Sequence, residues 1–478
     1  MKKITLPFLL AAVILACAWY VGAKTNVSNH QAGGSANNPG VKPVSGKPVT
    51  VSNGSLTMSV STNNTNVLQG SSGEMVLQID LEAANAIVEG DRKPLNLALV
   101  IDRSGSMSEK GKLEYARMAA QELVDRLGGN DRIAVVIYDD VAEVLVPSTR
   151  LTEPEAIKKK IASITDRNST NLAQGLILGH NEVAKYFDRE AVNQVIILSD
   201  GLANVGITDP YELRRMVSAW GEEGIRVTAM GLGADFNEDL LMGLANASGG
   251  RYHFIENPSQ IAGIYEKELA TLMQTVGKDV KVYLNLADGV KLLKVHGYDA
   301  RVNGSEVEIP VGAFNGGQHR IIMCRLLAPS NKIGKTDIAQ VRLDYRDALQ
   351  DSKKITSMAK VDVTCVADVA AVEKTRNLKV EGDGYWIINS EESNEAINDI
   401  QKGRKDEAIK WYEQKVREIN SRNQIYDNPQ LKSQAFQYSA ELDALKSVPA
   451  SPESEDNKVF LKRKKENQRL ESLGYISR

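Results

Sequence analysis

Apolar positions along the chain fall into three regimes. Between residues 49 and 92 they alternate with polar ones, as in "SLTMSVST" and "GEMVLQIDLEA", which is the period of strands with one buried face. From Leu95 the alternation stops. Near-continuous apolar runs ("LNLALVI", "RIAVVIY", "AEVLVP", "NQVIILS", "RVTAMGL", "RYHFIE") are separated by stretches of helical period, among them "KLEYARMAAQELVDRL", "NLAQGLILGHNEVAKYF" and "DPYELRRMVSAWGEEG". A strand without alternation has to be covered on both faces, and the intervening helices supply the cover. The pattern predicts a doubly wound, mostly parallel, six-stranded α/β domain over residues 95–276. The step from "IAVVIY" through Asp139 and Asp140 to "AEVLVP" is too short for a crossover helix. That strand should therefore lie antiparallel at the sheet edge.

Residues 277–368 return to a strand pattern in "KDVKVYLNL", "SEVEIPVG", "HRIIMCRLL", "IAQVRLDYRD" and "MAKVDVTCVAD". The two β-rich stretches, 49–94 and 277–368, predict one β-sandwich into which the α/β domain is inserted. Residues 369–478 have helical period, broken at Pro429, Pro449 and Pro452. Within them "GRKDEAIKWYEQKV" has the small–aromatic spacing of a tetratricopeptide helix. One such unit cannot stack on itself, so an ordinary amphipathic helix is expected. The basic cluster at 462–465, in "KVFLKRKKENQRLESL", reads as a solvated helix face.

At the N-terminus, two lysines precede an apolar stretch over residues 4–23. Residues 1–23 have the layout of a secretory signal and are also long enough to remain as a membrane anchor. Acylation at Cys17 is a third option, disfavoured by the bulk of Leu15. Residues 24–48, rich in Gly, Ser, Asn and Pro, read as a flexible tether. The expectation is export to the periplasm, cell envelope or exterior, with membrane association through the N-terminal segment. A net charge of −3 and 5% aromatics supply neither the basic surface nor the stacking platforms that nucleic acid requires. Cys324 and Cys365 lie in strand-like runs without metal-ligand spacing; a disulfide and two separate buried thiols both fit.

The chemistry sits where apolar runs end. "LNLALVIDRSGSM" closes in Asp102, Ser104 and Ser106, a D-x-S-x-S loop that can turn three oxygen side chains toward one point. Thr170 lies in "RNSTNLAQGL", where a loop enters a helix. Asp200 ends "VIILS" and precedes Gly201, which permits a sharp turn. In an open parallel sheet such strand ends collect functional groups. Two carboxylates and three hydroxyls are an oxygen-only set, suited to Mg2+, Mn2+ or Ca2+ rather than zinc. A capping or turn role explains each serine alone, but not why all five residues fall on one sheet edge.

This constellation resembles the metal-ion-dependent adhesion site (MIDAS) of von Willebrand factor type A domains. "VIILSDGLANVGITDP" and the flanking β-rich segments are similar to those of inter-alpha-trypsin inhibitor heavy chains, chloride channel regulators and their bacterial relatives. Integrin β chains also insert such a domain into a β-sandwich. The resemblance implies that Ser104, Ser106 and Thr170 touch the metal directly, while Asp102 and Asp200 act mainly through waters. Neutral direct ligands would leave the ion electron-poor, to be completed by an Asp or Glu carboxylate of another protein. The departure is at the third loop, where Asn168 and Ser169 stand in place of the paired glycines of many relatives. The implied function is metal-dependent protein binding (adhesion or complex assembly), with no catalytic residue. The hinged last helix of related domains, here near residues 261–274, would couple metal occupancy to the sandwich.

Enzyme signatures are missing from the sequence. There is no H-E-x-x-H, "QGSSG" has the wrong spacing for a nucleophile elbow, and "GLGADF" lacks the third glycine of a dinucleotide loop. The five histidines form no close-spaced pair. A magnesium-dependent phosphoryl transfer would need a phosphate cradle and a base, and neither is legible. The stronger alternative is a scaffold for an envelope complex in which the metal site is vestigial.

Overall fold

A computed structural model describes residues 48–85, 93–167, 169–449 and 451–476. The expected signal or anchor, and the tether apart from Pro48, lie outside the described residues, as does Asn168. The alternating first segment forms β1 (Val49–Asn53), β2 (Leu56–Thr62), β3 (Asn66–Leu68) and β4 (Glu74–Ala83). In β2 every second residue, starting at Leu56, is buried; the two-residue period puts those side chains on one face.

The α/β domain follows as β5 (Leu95–Asp102), α1 (Lys112–Arg126), β6 (Arg132–Tyr138), β7 (Ala142–Arg150), α2 (Pro154–Ala162), α3 (Leu172–Ala184), β8 (Val192–Ser199), α4 (Pro210–Glu223), β9 (Ile225–Leu232), α5 (Glu238–Ser248), β10 (Tyr252–Ile255) and α6 (Ile261–Met273). Every residue of β5 and β8 is buried, as strands covered on both faces must be. Sheet order is β10-β9-β8-β5-β6-β7. All pairs are parallel except β6 with β7, which runs antiparallel at the edge. Asp209 caps α4 ahead of Pro210, and Asn171 caps α3 through the Gln174 amide; both fix the entry of a helix at the carboxyl edge of the sheet. Order reverses between β5 and β8, so the loops after these two strands open the crevice typical of doubly wound sheets.

The chain then returns to the strands that preceded the insertion. It continues as β11 (Thr275–Leu286), β12 (Lys291–Val295), β13 (Arg301–Asn303), β14 (Glu306–Asn315), β15 (His319–Leu327), β16 (Gly334–Asp347) and β17 (Lys353–Val366). One sheet runs β1-β2-β4-β15-β12 and the other β13-β14-β11-β16-β17-β3. A shared core, including Met58, Leu77, Val282 and Val341, fills the space between them. The α/β domain is thus inserted in a β-sandwich, between β4 and β11. Cys324 and Cys365 are free, buried thiols, one on β15 and one on β17, in different sheets.

The C-terminal region comprises α7 (Val369–Glu373), α8 (Leu378–Glu392), α9 (Asn394–Gln401), α10 (Lys405–Tyr426), α11 (Pro429–Ser447), α12 (Glu455–Ser472) and β18 (Tyr475–Ile476), which pairs with β15. On β15, Ile322 and Cys324 join the sandwich core whereas Ile321 and Met323 join the helical core. The bundle therefore packs on the outer face of the first sheet. Among the described residues no helix is long and apolar enough to cross a membrane.

The basic cluster of α12 corrects an expectation. It is not a solvated face. Lys462 donates to the Phe236 carbonyl at 2.9 Å and stands 3.6 Å over its ring. Arg463 pairs with Glu256, and Lys465 with Asp239 at 2.9 Å. Lys464 is 1% exposed, 4.1 Å over the Tyr438 ring. The acidic edge of the α/β domain, 235–239 and Glu256, faces Lys462, Arg463 and Lys465, whose long stems bury readily against it, while Lys464 turns into the helical bundle and pairs with Glu441 of α11 at 2.8 Å.

Candidate metal centre

Asp102 is the last residue of β5 and is fully buried. Its Oδ1 accepts from the Ser104 amide at 2.9 Å and its Oδ2 from the Ser199 hydroxyl at 3.0 Å. Ser104 opens a short 3-10 turn, Gly105–Gly111, yet its side chain makes no capping hydrogen bond. Its hydroxyl lies instead 3.3 Å from that of Ser106, which donates to Asp200 Oδ1 at 2.7 Å. The bland role for Ser104, a helix cap, is therefore not the one its side chain performs.

Thr170 reaches the same place from the third loop. Its amide donates to Asn204 Oδ1 at 3.0 Å, and its carbonyl accepts from the Asn204 and Val205 amides at 3.2 and 3.3 Å. This double tie holds the loop against the segment after Asp200, without the paired glycines of many relatives. A Cβ on Gly201 would stand 3.6 Å from Thr170 Oγ1 and 3.7 Å from Ser106 Oγ. The two hydroxyls thus face a small space that any side chain at 201 would enter. All five residues read from the sequence come together here: Asp102, Ser104, Ser106 and Asp200 through a hydrogen-bonded series, Thr170 across Gly201.

The electrostatics suit a cation. Burial and the charge of Asp200 push the Asp102 carboxyl up to about 6, against the lowering effect of its hydrogen bonds with Ser104 and Ser199. Two carboxylates with nearly no solvent access are costly unless positive charge is supplied. Among the described residues no group of three or more His, Cys, Asp or Glu could hold a metal; the side chains gathered here are two carboxylates and three hydroxyls, an oxygen-only and hard set. Its chemistry fits Mg2+, Mn2+ or Ca2+.

Sequence reasoning missed four supporting residues. Lys112, at the start of α1, places Nζ 2.6 Å from Asp200 Oδ2 and 3.3 Å from the Ser106 carbonyl. Ser199, the residue before Asp200, holds Asp102. Arg103 and Asp139, 4% and 0% exposed, pair at 2.5 Å beneath the loops. Around them the Arg167 amide donates to the Arg103 carbonyl and the Asn171 amide to the Asp139 carbonyl. The position of Asp139 at a strand end was visible; its partner was not.

Residues 96–267 match the family model of the von Willebrand factor type A domain. The chain is 28% identical over 283 residues to the uncharacterized protein YfbK of Escherichia coli (strain K12), covering 55% of this chain and 49% of that one. It is 30% identical over 230 residues to inter-alpha-trypsin inhibitor heavy chain H3 of Pongo abelii, covering 45% of this chain and 25% of that one. The chain thus spans about half the length of the first relative and a quarter of the second. Among solved structures, the von Willebrand factor type A protein of Catenulispora acidiphila superposes with a TM-score of 0.67 at 16% identity. That match covers 89% of this chain and 99% of the other, so the shared fold extends beyond the α/β domain.

Proposed function

From a chain whose residues 96–267 are a von Willebrand factor type A domain, we propose a protein that binds another protein through a divalent cation, with no bond broken. The observation that carries this reading is the convergence of Asp102, Ser104, Ser106, Thr170 and Asp200 on one space at the sheet's carboxyl edge. Ser104, Ser106 and Thr170 would hold Mg2+, Mn2+ or Ca2+ directly. Asp102 and Asp200 would act through water, and the hydrogen bonds from Ser199 and the Ser104 amide fix the orientation of Asp102. When bound, the ion supplies a Lewis-acidic position for an Asp or Glu carboxylate of the partner. Specificity then rests on the loops around it, because a carboxylate desolvated there depends on shape as well as charge. The N-terminal apolar segment and tether support an exported, envelope-facing setting.

A second reading, a scaffold with a vestigial site, draws on one observation: Lys112 already places a positive charge on Asp200. Calorimetric titration of Mg2+, then Mn2+ and Ca2+, into wild type and Asp102→Ala separates the two. The binding reading expects about one ion, lost in the variant, and a captured partner released by EDTA. Partners retained in EDTA, with no ion bound at millimolar concentration, would favour the scaffold.

A further inference from the structure

We propose that Lys112 is a built-in counter-ion of this site, which weakens the hold of the site on a lone divalent cation and makes ion binding depend on an incoming carboxylate. The inference rests on the reading that the five-residue cluster holds a divalent cation.

Lys112 is an unexpected residue at its position. It begins α1 directly after Lys110 and Gly111, whose φ values of 52° and 71° put two consecutive left-handed residues before the helix. The first turn of a helix carries partial positive charge from its unpaired amides, so a lysine there gains nothing from the helix. Its side chain is 10% exposed and runs inward to Asp200, whose side chain is fully buried. The contacts at 2.6 Å to Asp200 Oδ2 and 3.3 Å to the Ser106 carbonyl leave Asp200 Oδ1 to the Ser106 hydroxyl. The carboxylate is thus shared between a lysine and the hydroxyl series.

Counting charges shows the consequence. Asp102 and Asp200 contribute two negative charges and Lys112 one positive charge, so the site without metal is left with one net negative charge. A divalent ion beside an undisplaced Lys112 leaves one net positive charge in a buried place, which is costly. A carboxylate from a partner returns the total to zero. Without Lys112 the same ion would already be neutralised by the two aspartates. The lysine therefore converts a site that would stay loaded into one that completes itself on binding an acidic group.

The test is calorimetric titration of Mg2+ and Mn2+ into wild type, Lys112→Met and Lys112→Arg, in chloride and in acetate at equal ionic strength, acetate being the carboxylate probe. The expected result is tighter ion binding by Lys112→Met in chloride, by at least tenfold, with little further gain in acetate. Wild type and Lys112→Arg should bind weakly in chloride and several-fold tighter in acetate. Hydrogen exchange at the β5 and β8 amides checks that each variant is folded. Equal or weaker binding by Lys112→Met, or the same acetate effect in all three proteins, overturns the proposal while leaving the metal site standing. Failure of all three to bind either ion in either buffer overturns the site reading and this inference together.

Discussion

Replacing Asp102 by asparagine should stabilise the metal-free protein while abolishing ion binding. Asp102 is fully buried beside the charge of Asp200, and its carboxyl is pushed from 3.8 to about 6. The folded state therefore holds this proton more tightly than the unfolded chain does. Stability from that proton is full below pH 4 and is lost as pH rises through 6. At pH 7.5 the penalty amounts to roughly 3 kcal/mol. Asparagine keeps the shape, can accept from the Ser104 amide and can donate to the Ser199 hydroxyl, and carries no charge to desolvate. In EDTA at pH 7.5, Asp102→Asn should protect the β5 and β8 amides from hydrogen exchange more strongly than wild type, by up to about 3 kcal/mol in opening free energy. The midpoint of the domain's thermal transition should rise by several degrees. The difference should shrink toward pH 4, where wild-type Asp102 is itself neutral. Added Mg2+ should stabilise wild type but not the variant. A metal-free variant less stable than wild type at pH 7.5, or a gap unchanged between pH 7.5 and pH 4, would show that Asp102 is not the strained group described here.

Gly201→Ala should fold normally, since its Cβ meets Thr170 Oγ1 and Ser106 Oγ at 3.6 and 3.7 Å, ordinary contact distances; ion affinity measured by calorimetry should fall at least tenfold, because that Cβ takes the space between the hydroxyls. Glu268 of α6 accepts from Thr228 at 2.7 Å, with Arg251 and His253 each at 3.1 Å. Burial works to raise its carboxyl, but Arg251 and His253 carry it down to about 2. A folded value below the ordinary 4.5 stabilises the fold above pH 4.5 and loses that contribution as pH falls toward 2. Glu268→Gln should therefore cost roughly 3 kcal/mol at pH 7 in urea unfolding, and the cost should fade in acid. A pH-independent cost would assign Glu268 a packing role only.

The parts of this molecule that obey a period were legible in its sequence. Alternation in 56–62, near-continuous apolar runs at 95–102 and 192–199, and the short step before β7 each impose a burial pattern that one backbone arrangement satisfies. The five oxygen residues were legible because strand ends of a doubly wound sheet converge. Short pieces such as β3, β13 and β18 escaped because three residues or fewer carry no period. Lys112 escaped for another reason: it sits in an amphipathic helical segment, where a lysine is ordinarily solvated, and its partner lies 88 positions away.

The same blindness to long-range charge explains the misreading of α12, and its correction changes how the regions are connected. A run of cations has no intrinsic address; it is solvated unless an acidic surface is built elsewhere in the fold, and here the edge around Asp235, Glu238, Asp239 and Glu256 takes Lys462, Arg463 and Lys465 while Glu441 of the bundle takes Lys464. One helix consequently touches three parts of the molecule. Its first residue, Glu455, pairs with Lys110 in the turn that carries Ser106; its middle lies on the α/β domain through Lys462 and Arg463; its end leads into β18, which extends the sandwich sheet along β15. The surface pair at Lys110 contributes little energy by itself. The buried stems and the backbone pairing of β18 supply the hold, so the helical region acts as a brace between the sandwich and the metal face rather than as an appended tail.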